Sequence, residues 1–390
     1  MAQAQIIQPD LEFIRSVRRR GGDTVKKCYQ CATCSVVCAL SPEGSPFPRK
    51  EMLWAGWGRR DRLLGDPDVW LCHQCNDCTT HCPRGARPGD VLAAIRTWVY
   101  ENFSFPKFMG RALATPKALP ALFLLPAIVL LACIFLSAPH TPTGEFAFLA
   151  SPAVDFNLFL PHSTVDALFV FGNILIFACA AVAFVRFWRA LQANGSPRRM
   201  SFVRGVWLAL KEILLHVKFR QCTTNRPRAL GHMLLFFGFI GAMVTTGAVL
   251  VFVFLPHYLH LLGLEQFNSF FHVPINLPHP VKIIGALSGM ALLVGGGMLV
   301  LRRWGNKDEV GANGYADYLF LYILTLAGMS GMLSWLMRLT GVPMLAYANY
   351  FLHLMFVFFL LWYMPYSKFA HMIYRTLAIV HAKQIGRDAK

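Results

Sequence analysis

Eight of the eleven cysteines stand in two groups that share one spacing. Each group reads C-x2-C-x2-C-x3-C, and Pro83 follows the second group. Three cysteines at intervals of three residues let one loop offer three thiolates to an iron–sulfur cubane, while the fourth cysteine ligates a second cubane. The spacing therefore predicts two 4Fe-4S clusters with crossed ligation.

The crossed ligation assigns each cysteine to one cluster. The first cluster takes Cys28, Cys31, Cys34 and Cys82. The second cluster takes Cys38, Cys72, Cys75 and Cys78. A pair of zinc sites is the alternative, but zinc sites use C-x2-C pairs and leave the third evenly spaced cysteine unexplained. Disulfides are disfavoured because no apolar segment opens the chain, so we expect the cysteines to stay in the reducing cytoplasm.

Three histidines at the ends of apolar stretches are the second set of candidates. A histidine ring is costly in hydrocarbon, and in a redox protein haem is its leading partner. His232 and His371 lie at matching depths on the predicted inner side, so we expect them to be the axial ligands of an inner b-type haem. His353 lies 18 residues before His371, or ~27 Å along one helix, which suits a second haem near the outer side.

The second ligand of the outer haem is open. His279 stands at the outer mouth of a predicted span and is our candidate. Three histidines of the preceding loop compete with it: His257, His260 and His272. Lys282 and Arg338 are candidates for contacts with haem propionates or with a quinone, although basic side chains at such depths also simply mark a membrane interface.

The composition requires lipid around much of the chain. The 390 residues are 55% hydrophobic and 15% charged, with a mean hydropathy of +0.46, which excludes a disordered, collagenous or disulfide-stapled secreted protein. Six apolar stretches are long enough to span ~30 Å of hydrocarbon. They are residues 118–138, 164–187, 230–255, 280–302, 317–340 and 346–366. Glycines at helical spacing within these spans predict close helix packing.

The distribution of charge predicts the topology. Loop 186–228 carries ten Lys/Arg and one acidic residue, whereas segments 139–163 and 256–279 carry no Lys or Arg. By the positive-inside rule, the protein is a multi-pass protein of the cytoplasmic membrane with both termini in the cytoplasm. Because the net charge of +17 follows the loops, and because no reading helix accompanies it, we expect no nucleic-acid partner.

Two domains follow from these patterns. Residues 1–115 form a cytoplasmic ferredoxin domain, whose segment between the cysteine groups has apolar residues at helical spacing. Residues 116–390 form a six-helix transmembrane haem b domain in membrane lipid. The expected fold class is all-α. No G-x-G-x-x-G follows a strand pattern, so we expect no flavin in this chain.

The amino-terminal domain resembles a known family. The run PRKEMLWAGWGRRDRLLGDPDVWLCHQCNDCTTHCPRG is similar to the iron–sulfur subunits of heterodisulfide reductases. This resemblance implies a helical ferredoxin domain with two 4Fe-4S clusters. Ala39 departs from the pattern, because such motifs usually place Pro after the fourth cysteine.

The membrane half resembles the gamma-subunit family of respiratory nitrate reductases. The resemblance implies a dihaem cytochrome b that takes electrons from quinol, with His353 and His371 on the outgoing helix and His232 on its partner. That partner helix carries a second histidine ten residues later, where this chain has Ala242. One or two b haems are therefore expected.

The fusion of both halves resembles the membrane subunits of quinone-interacting membrane-bound oxidoreductase complexes. This resemblance implies an oxidoreductase subunit that links the menaquinone pool to flavin and iron–sulfur partner subunits, and through them to dissimilatory adenylylsulfate reductase. The redox alternative is a membrane cytochrome subunit of a heterodisulfide reductase or sulfite-reduction complex. The non-redox alternative is a membrane receptor or transporter with a zinc-binding domain, which predicts a colourless protein.

Overall fold

The computed structural model describes residues 8–42, 44–194, 197–218, 226–262, 274–305 and 314–387. These residues form helices and no strand; one isolated bridge joins His140 and Phe146. The expected all-α fold with six long apolar helices is confirmed.

Eight short helices build the amino-terminal part, residues 8–115. They are α1 (Leu11–Val17), α2 (Thr33–Val36), α3 (Arg49–Gly56), α4 (Arg60–Leu64), α5 (Asp68–Leu71), α6 (Asp77–Thr80), α7 (Pro88–Phe103) and α8 (Lys107–Ala114). The Asp10 side chain caps α1 by accepting a hydrogen bond from the Phe13 amide at 2.8 Å. The 16-residue α7 is the centre of the part, since Val91, Ile95 and Val99 on it are all buried.

Eleven further helices follow. They are α9 (Leu119–Ser137), α10 (Ala147–Ala150), α11 (Phe156–Phe159), α12 (His162–Ala193), α13 (Phe202–Leu215), α14 (Arg226–Val249), α15 (Leu255–Leu261), α16 (Pro280–Gly305), α17 (Tyr315–Thr340), α18 (Pro343–Trp362) and α19 (His371–Gln384). Within the described residues, six helical segments are long and apolar enough to cross a membrane: Pro116–Ser137, His162–Ala193, Arg228–His260, Pro280–Gly305, Tyr315–Thr340 and Pro343–Trp362.

Small residues bring the membrane helices close together. A Cβ atom on Gly238 of α14 would lie 2.8 Å from the backbone nitrogen of Leu292 in α16, and one on Gly295 would lie 2.6 Å from the nitrogen of Leu235. Helices approach this closely only where neither has a side chain in the way. Packing through the glycines recurring at helical spacing is thus confirmed.

An aromatic cluster joins the amino-terminal part to one end of the bundle. Trp70 stacks on Tyr374 of α19 at 4.9 Å between ring centroids and packs edge-on against Phe187 of α12 at 5.2 Å. Tyr100 of α7 contacts both Trp70 and Tyr374. We call this end of the bundle the proximal end and the opposite one the distal end.

The last predicted span is wrong in one respect. His353 and His371 do not share a helix, because α18 ends at Trp362 and α19 begins at His371. Two 3-10 turns, Met364–Tyr366 and Lys368–Ala370, separate the helices. Pro365 provides the physical reason, since a proline ring cannot continue an α-helical hydrogen-bond ladder.

Candidate redox site

The two cysteine groups adopt the same local conformation. Gln30 and Gln74, each two residues after the first cysteine of its group, have φ of 61° and 53°. Ala32 and Asn76, each four residues after that cysteine, both have φ of 71°. Left-handed conformations outside glycine are uncommon and cluster at functional sites. Each loop then runs into a one-turn helix, α2 or α6.

The fold brings the cysteines into two sets. The Cys34 thiol interacts electrostatically with those of Cys28, Cys31 and Cys82. The Cys38 thiol lies near those of Cys72 and Cys75, and the same three surround Cys78. The fourth cysteine of each sequence group thus lies with the other group.

The donor set of these two sites fits iron–sulfur clusters. Burial raises the pKa of the Cys34 thiol to about 11 and that of Cys38 to about 12. Thiolates in such surroundings need a neighbouring cation, which a metal supplies. The sulfur atoms also receive hydrogen bonds, from the Gln74 amide to Cys72 Sγ and from the Ala86 amide to Cys82 Sγ, both at 3.3 Å. Such bonds tune cluster potentials.

A cavity of about 480 Å³ lies at the second set of cysteines. Its lining includes Cys38, Cys72, Cys75 and Cys78, together with the Phe47 ring. The cavity gives this set room for a group larger than a single metal ion.

Two arginines tie the second cysteine loop to the membrane helices. Arg228 of α14 donates to the Gln74 carbonyl at 2.6 Å. Arg375 of α19 donates to the Cys72 and Leu71 carbonyls, both at 3.2 Å. Arg228 precedes His232 by four residues and Arg375 follows His371 by four, so each arginine lies one helical turn from a candidate haem ligand.

His232 and His371 lie close together at the proximal end, where they interact electrostatically. The His371 Nδ1 atom lies 2.7 Å from the Lys368 carbonyl oxygen, to which it donates. Burial, and then the neighbouring Lys368 charge, lower the pKa of His371 to about 3, so the ring is neutral. A neutral imidazole fixed through one nitrogen presents the other as a metal ligand. This arrangement fits one axial pair.

His353 lies in a polar cluster between α17 and α18. Its Nδ1 atom is 3.1 Å from Ser330 Oγ, and its ring packs against Gly331. Asn349, one turn earlier, donates to the Ser330 carbonyl at 2.8 Å and to Ser334 Oγ at 2.7 Å. A fixed histidine in such surroundings is a suitable ligand, but the geometry does not bring His279 to it.

The packing of α16 against α17 gives the reason. A Cβ on Gly289 would overlap the Met332 side chain, and Met332 adjoins Gly331, which packs on the His353 ring. His279 precedes Gly289 by ten residues, or ~15 Å of helix, so it lies at the distal end, well beyond His353.

The other distal candidates also lie apart from His353. Lys282 holds its Nζ atom 4.4 Å from the centroid of the Trp335 ring, and it is close enough to Arg338 for their charges to interact. His257 and His260 lie on α15, and His272 lies outside the described residues.

The sequence reasoning missed several residues of this site. Arg228, Arg375 and Arg96 bond to the second cysteine loop, and His73 within the loop contacts Arg375 at 2.9 Å. His216 is buried, with its ring centroid 5.5 Å from that of His232. The spacing of four residues between each arginine and a histidine is the available signal, because it places both on one helix face.

Fold and site together define a membrane-anchored iron–sulfur electron-transfer subunit. Residues 24–86 match the 4Fe-4S dicluster domain family, and residues 113–390 match the family described as Citrate utilization protein B. Since the second match covers more than half of the chain, the protein belongs to the Citrate utilization protein B family.

Individual relatives agree with this assignment. The chain is 26% identical to "Citrate utilization protein B" of Escherichia coli over 93% of this chain and 92% of the relative. It is 35% identical to a heterodisulfide reductase subunit-like protein of Archaeoglobus profundus over 27% of this chain and 56% of the relative. For a subunit of the H(2):CoB-CoM heterodisulfide,ferredoxin reductase of Methanothermobacter marburgensis, the figures are 34%, 22% and 47%.

The chain spans about half the length of the heterodisulfide reductase relatives. No solved structure matches the chain. The resemblance of the amino-terminal part to heterodisulfide reductase subunits is confirmed. The resemblance of the membrane half to nitrate reductase gamma subunits is corrected, because that half matches the Citrate utilization protein B family instead.

Proposed function

We propose that the protein carries electrons between a soluble flavin-containing partner and the membrane quinone pool. Two 4Fe-4S clusters and at least one b haem supply sites that take up and release single electrons. The first cluster is held by Cys28, Cys31, Cys34 and Cys82. The second is held by Cys38, Cys72, Cys75 and Cys78.

The attachment of the second cysteine loop to both candidate haem ligands carries this proposal. Arg228 and Arg375 bond to carbonyls of that loop, and each lies one turn from His232 or His371. The chain therefore fixes the second cluster site against the proximal histidine pair. A short, rigid connection between two redox sites is what an electron conduit requires.

His232 and His371 are our proposed ligands of the proximal haem. Their rings would bind it from α14 and α19, with His371 oriented by the Lys368 carbonyl. His353 is the proposed ligand of a second, more distal haem. Its partner is not His279, and Lys282 and Arg338 are proposed contacts of that haem's propionates only.

The partner is proposed from the chemistry of the relatives. The name of the full-length relative connects it with the use of citrate, which favours a flavin partner that oxidises a small carboxylic acid. Delivery to adenylylsulfate reductase by way of menaquinone, or service as the anchor of a heterodisulfide or sulfite reductase, are the alternatives. Copurification with a substrate-specific flavoprotein separates them.

We also propose the membrane and the orientation. The basic loop 186–228 and the carboxyl-terminal tail lie on the proximal side with the cysteine loops. By the positive-inside rule this side faces the cytoplasm of the inner membrane.

Cofactor analysis of histidine variants tests the proposal. The purified chain should contain about eight non-haem irons and acid-labile sulfides, from two cubanes, and show a b-type haem spectrum. His232→Ala and His371→Ala should each lose the same haem band and keep the iron, whereas the exposed His140 allows His140→Ala as a matched control. Zinc without a haem band would contradict the proposal and favour the non-redox alternative.

A further inference from the structure

A second cavity, of about 500 Å³, lies where the amino-terminal part meets the membrane helices. We call it the proximal cavity. Helices α7 and α8 form one side and helices α17 and α18 the other, and the turn before α19 closes it. No residue proposed above as a ligand lines it.

The walls of the proximal cavity are apolar, and its polar groups are few. Leu113, Ala316, Phe320 and Leu360 contribute apolar surface. The Lys368 side chain also lines the cavity, and it forms an ion pair with Asp317 at the start of α17. A mainly apolar pocket with a few placed polar groups is the usual form of a site for a small organic ligand.

The rim of the proximal cavity lies at the level of the bundle's proximal end. Ala114 on α8, and Ala316 and Leu319 on α17, are only half-buried. Ala316 and Leu319 fall within the first turns of the span Tyr315–Thr340. A ligand with an apolar tail can thus leave its tail between α8 and α17, toward lipid.

The cavity also adjoins a proposed haem ligand. The Phe320 ring centroid lies 5.8 Å from that of His371 and 5.7 Å from that of Phe369. Lys368 lines the cavity with its side chain, while its carbonyl oxygen accepts the bond from His371. A ligand here is separated from His371 by one aromatic ring.

We propose that the proximal cavity binds the head of a membrane quinone, with the quinone ring beside Phe320 and one of its carbonyl oxygens accepting a hydrogen bond from Lys368 Nζ. This inference rests on the proposed function, since it places the quinone of that function. It also replaces Lys282 and Arg338 as quinone contacts, because Lys282 is engaged with the Trp335 ring at the distal end.

Photoaffinity labelling of the whole cofactor-loaded protein in nanodiscs tests the site. The probe is a naphthoquinone with an aryl azide on a short prenyl tail, and labelled peptides are mapped by mass spectrometry. We expect label on Lys107–Ala114 and on the first turns of α17, competed by the same quinone without the azide and not by added phospholipid.

Cavity-filling variants sharpen the test. Ala316→Trp should fill the cavity and lower the competed labelling at least tenfold. Ala121→Trp is the matched control, because Ala121 is exposed near the same end of α9, and it should label like the wild type. Lys368→Gln should weaken quinone binding by about tenfold, the loss expected for a hydrogen bond to a charged group, with the haem spectrum unchanged.

The other outcomes separate this inference from the proposed function. Competed label beside Lys282 and Trp335, competition by phospholipid alone, or undiminished labelling of Ala316→Trp would overturn the proximal site and leave quinone chemistry standing. Failure of quinone to compete at any position, together with failure of added quinone to reoxidise the reduced protein, would overturn the proposed function as well.

Discussion

Two arginine side chains determine how the second cysteine loop sits on the membrane helices. Arg375 reaches two loop carbonyls and His73, and Arg228 reaches a third carbonyl from another helix. Because a guanidinium has five donors in a fixed fork, each arginine holds the loop in one position relative to its neighbouring histidine.

Arg375→Gln should loosen that loop. The variant removes hydrogen bonds from a charged donor, each contributing roughly 1.5–3 kcal/mol, so the free energy of local opening should fall by about 2 kcal/mol. Hydrogen exchange of the peptide containing residues 72–75 measures this. Arg60→Gln removes an exposed ion pair with Asp10 and should leave that peptide unchanged. Equal protection in both variants would show that Arg375 does not hold the loop.

The crossed ligation can be tested with cysteine pairs. In a Cys31→Ser, Cys34→Ser background the first cluster should be absent. Adding Cys82→Ser should then leave the remaining electron paramagnetic resonance signal unchanged, since Cys82 belongs to the missing cluster. Adding Cys38→Ser should alter that signal. The reverse pattern would show that each cluster takes all four cysteines from one sequence group.

At the scale of helices, close packing of α14 on α16 depends on absent side chains. Gly238→Ala would press a methyl group against the backbones of Leu292 and Ser288, at 2.8 and 2.9 Å. We expect a loss of about 1–3 kcal/mol of stability, measured by thermal unfolding in detergent.

Gly247→Ala is a control within the same helix, because a Cβ there meets nothing within 4 Å. It should be neutral or gain up to ~1 kcal/mol through helix propensity. Equal destabilisation by both substitutions would contradict the packing described between the two helices.

Sequence and structure agree where the signal is local. Cysteine spacing and apolar runs of about 20 residues identified the clusters' donor groups and the six long helices, because both patterns are written in consecutive residues. The break at Pro365 was missed because apolar residues continue through it. The arginines that bind the cysteine loop were missed because their acceptors are backbone carbonyls some 150 and 300 positions away, which no residue type reveals.

At the scale of the molecule, a buried charge cluster joins the end of the chain to its beginning. Lys50 lies within 3.2 Å of carboxylate oxygens of Glu51, Asp66 and Asp68, and Arg387 pairs with Asp68 at 2.5 Å. Two cations thus face three acids. Burial, and then the Asp66 charge, raise the pKa of Glu51 well above its usual range, so that Glu51 is protonated in the folded protein.

This proton predicts a pH dependence of stability. Above the ordinary glutamate pKa of about 4.3 the unfolded chain has lost the proton that the folded chain keeps, so stability falls as pH rises, by up to ~1.4 kcal/mol per pH unit, until the folded pKa is reached. Glu51→Gln should flatten this slope between about pH 5.5 and pH 8, measured by thermal unfolding, whereas the exposed Glu12→Gln should not. An unchanged slope in Glu51→Gln would place the proton elsewhere.

The central claim is that clusters, haem and quinone form one conduit through this chain. Its most direct test is to reduce the purified protein, remove the reductant, add a membrane quinone, and follow the haem band and the cluster signals together. We predict that both are reoxidised by the quinone, and that His371→Ala slows reoxidation of the clusters. Clusters that stay reduced while quinone is present, or a protein that shows no haem band, would contradict the claim.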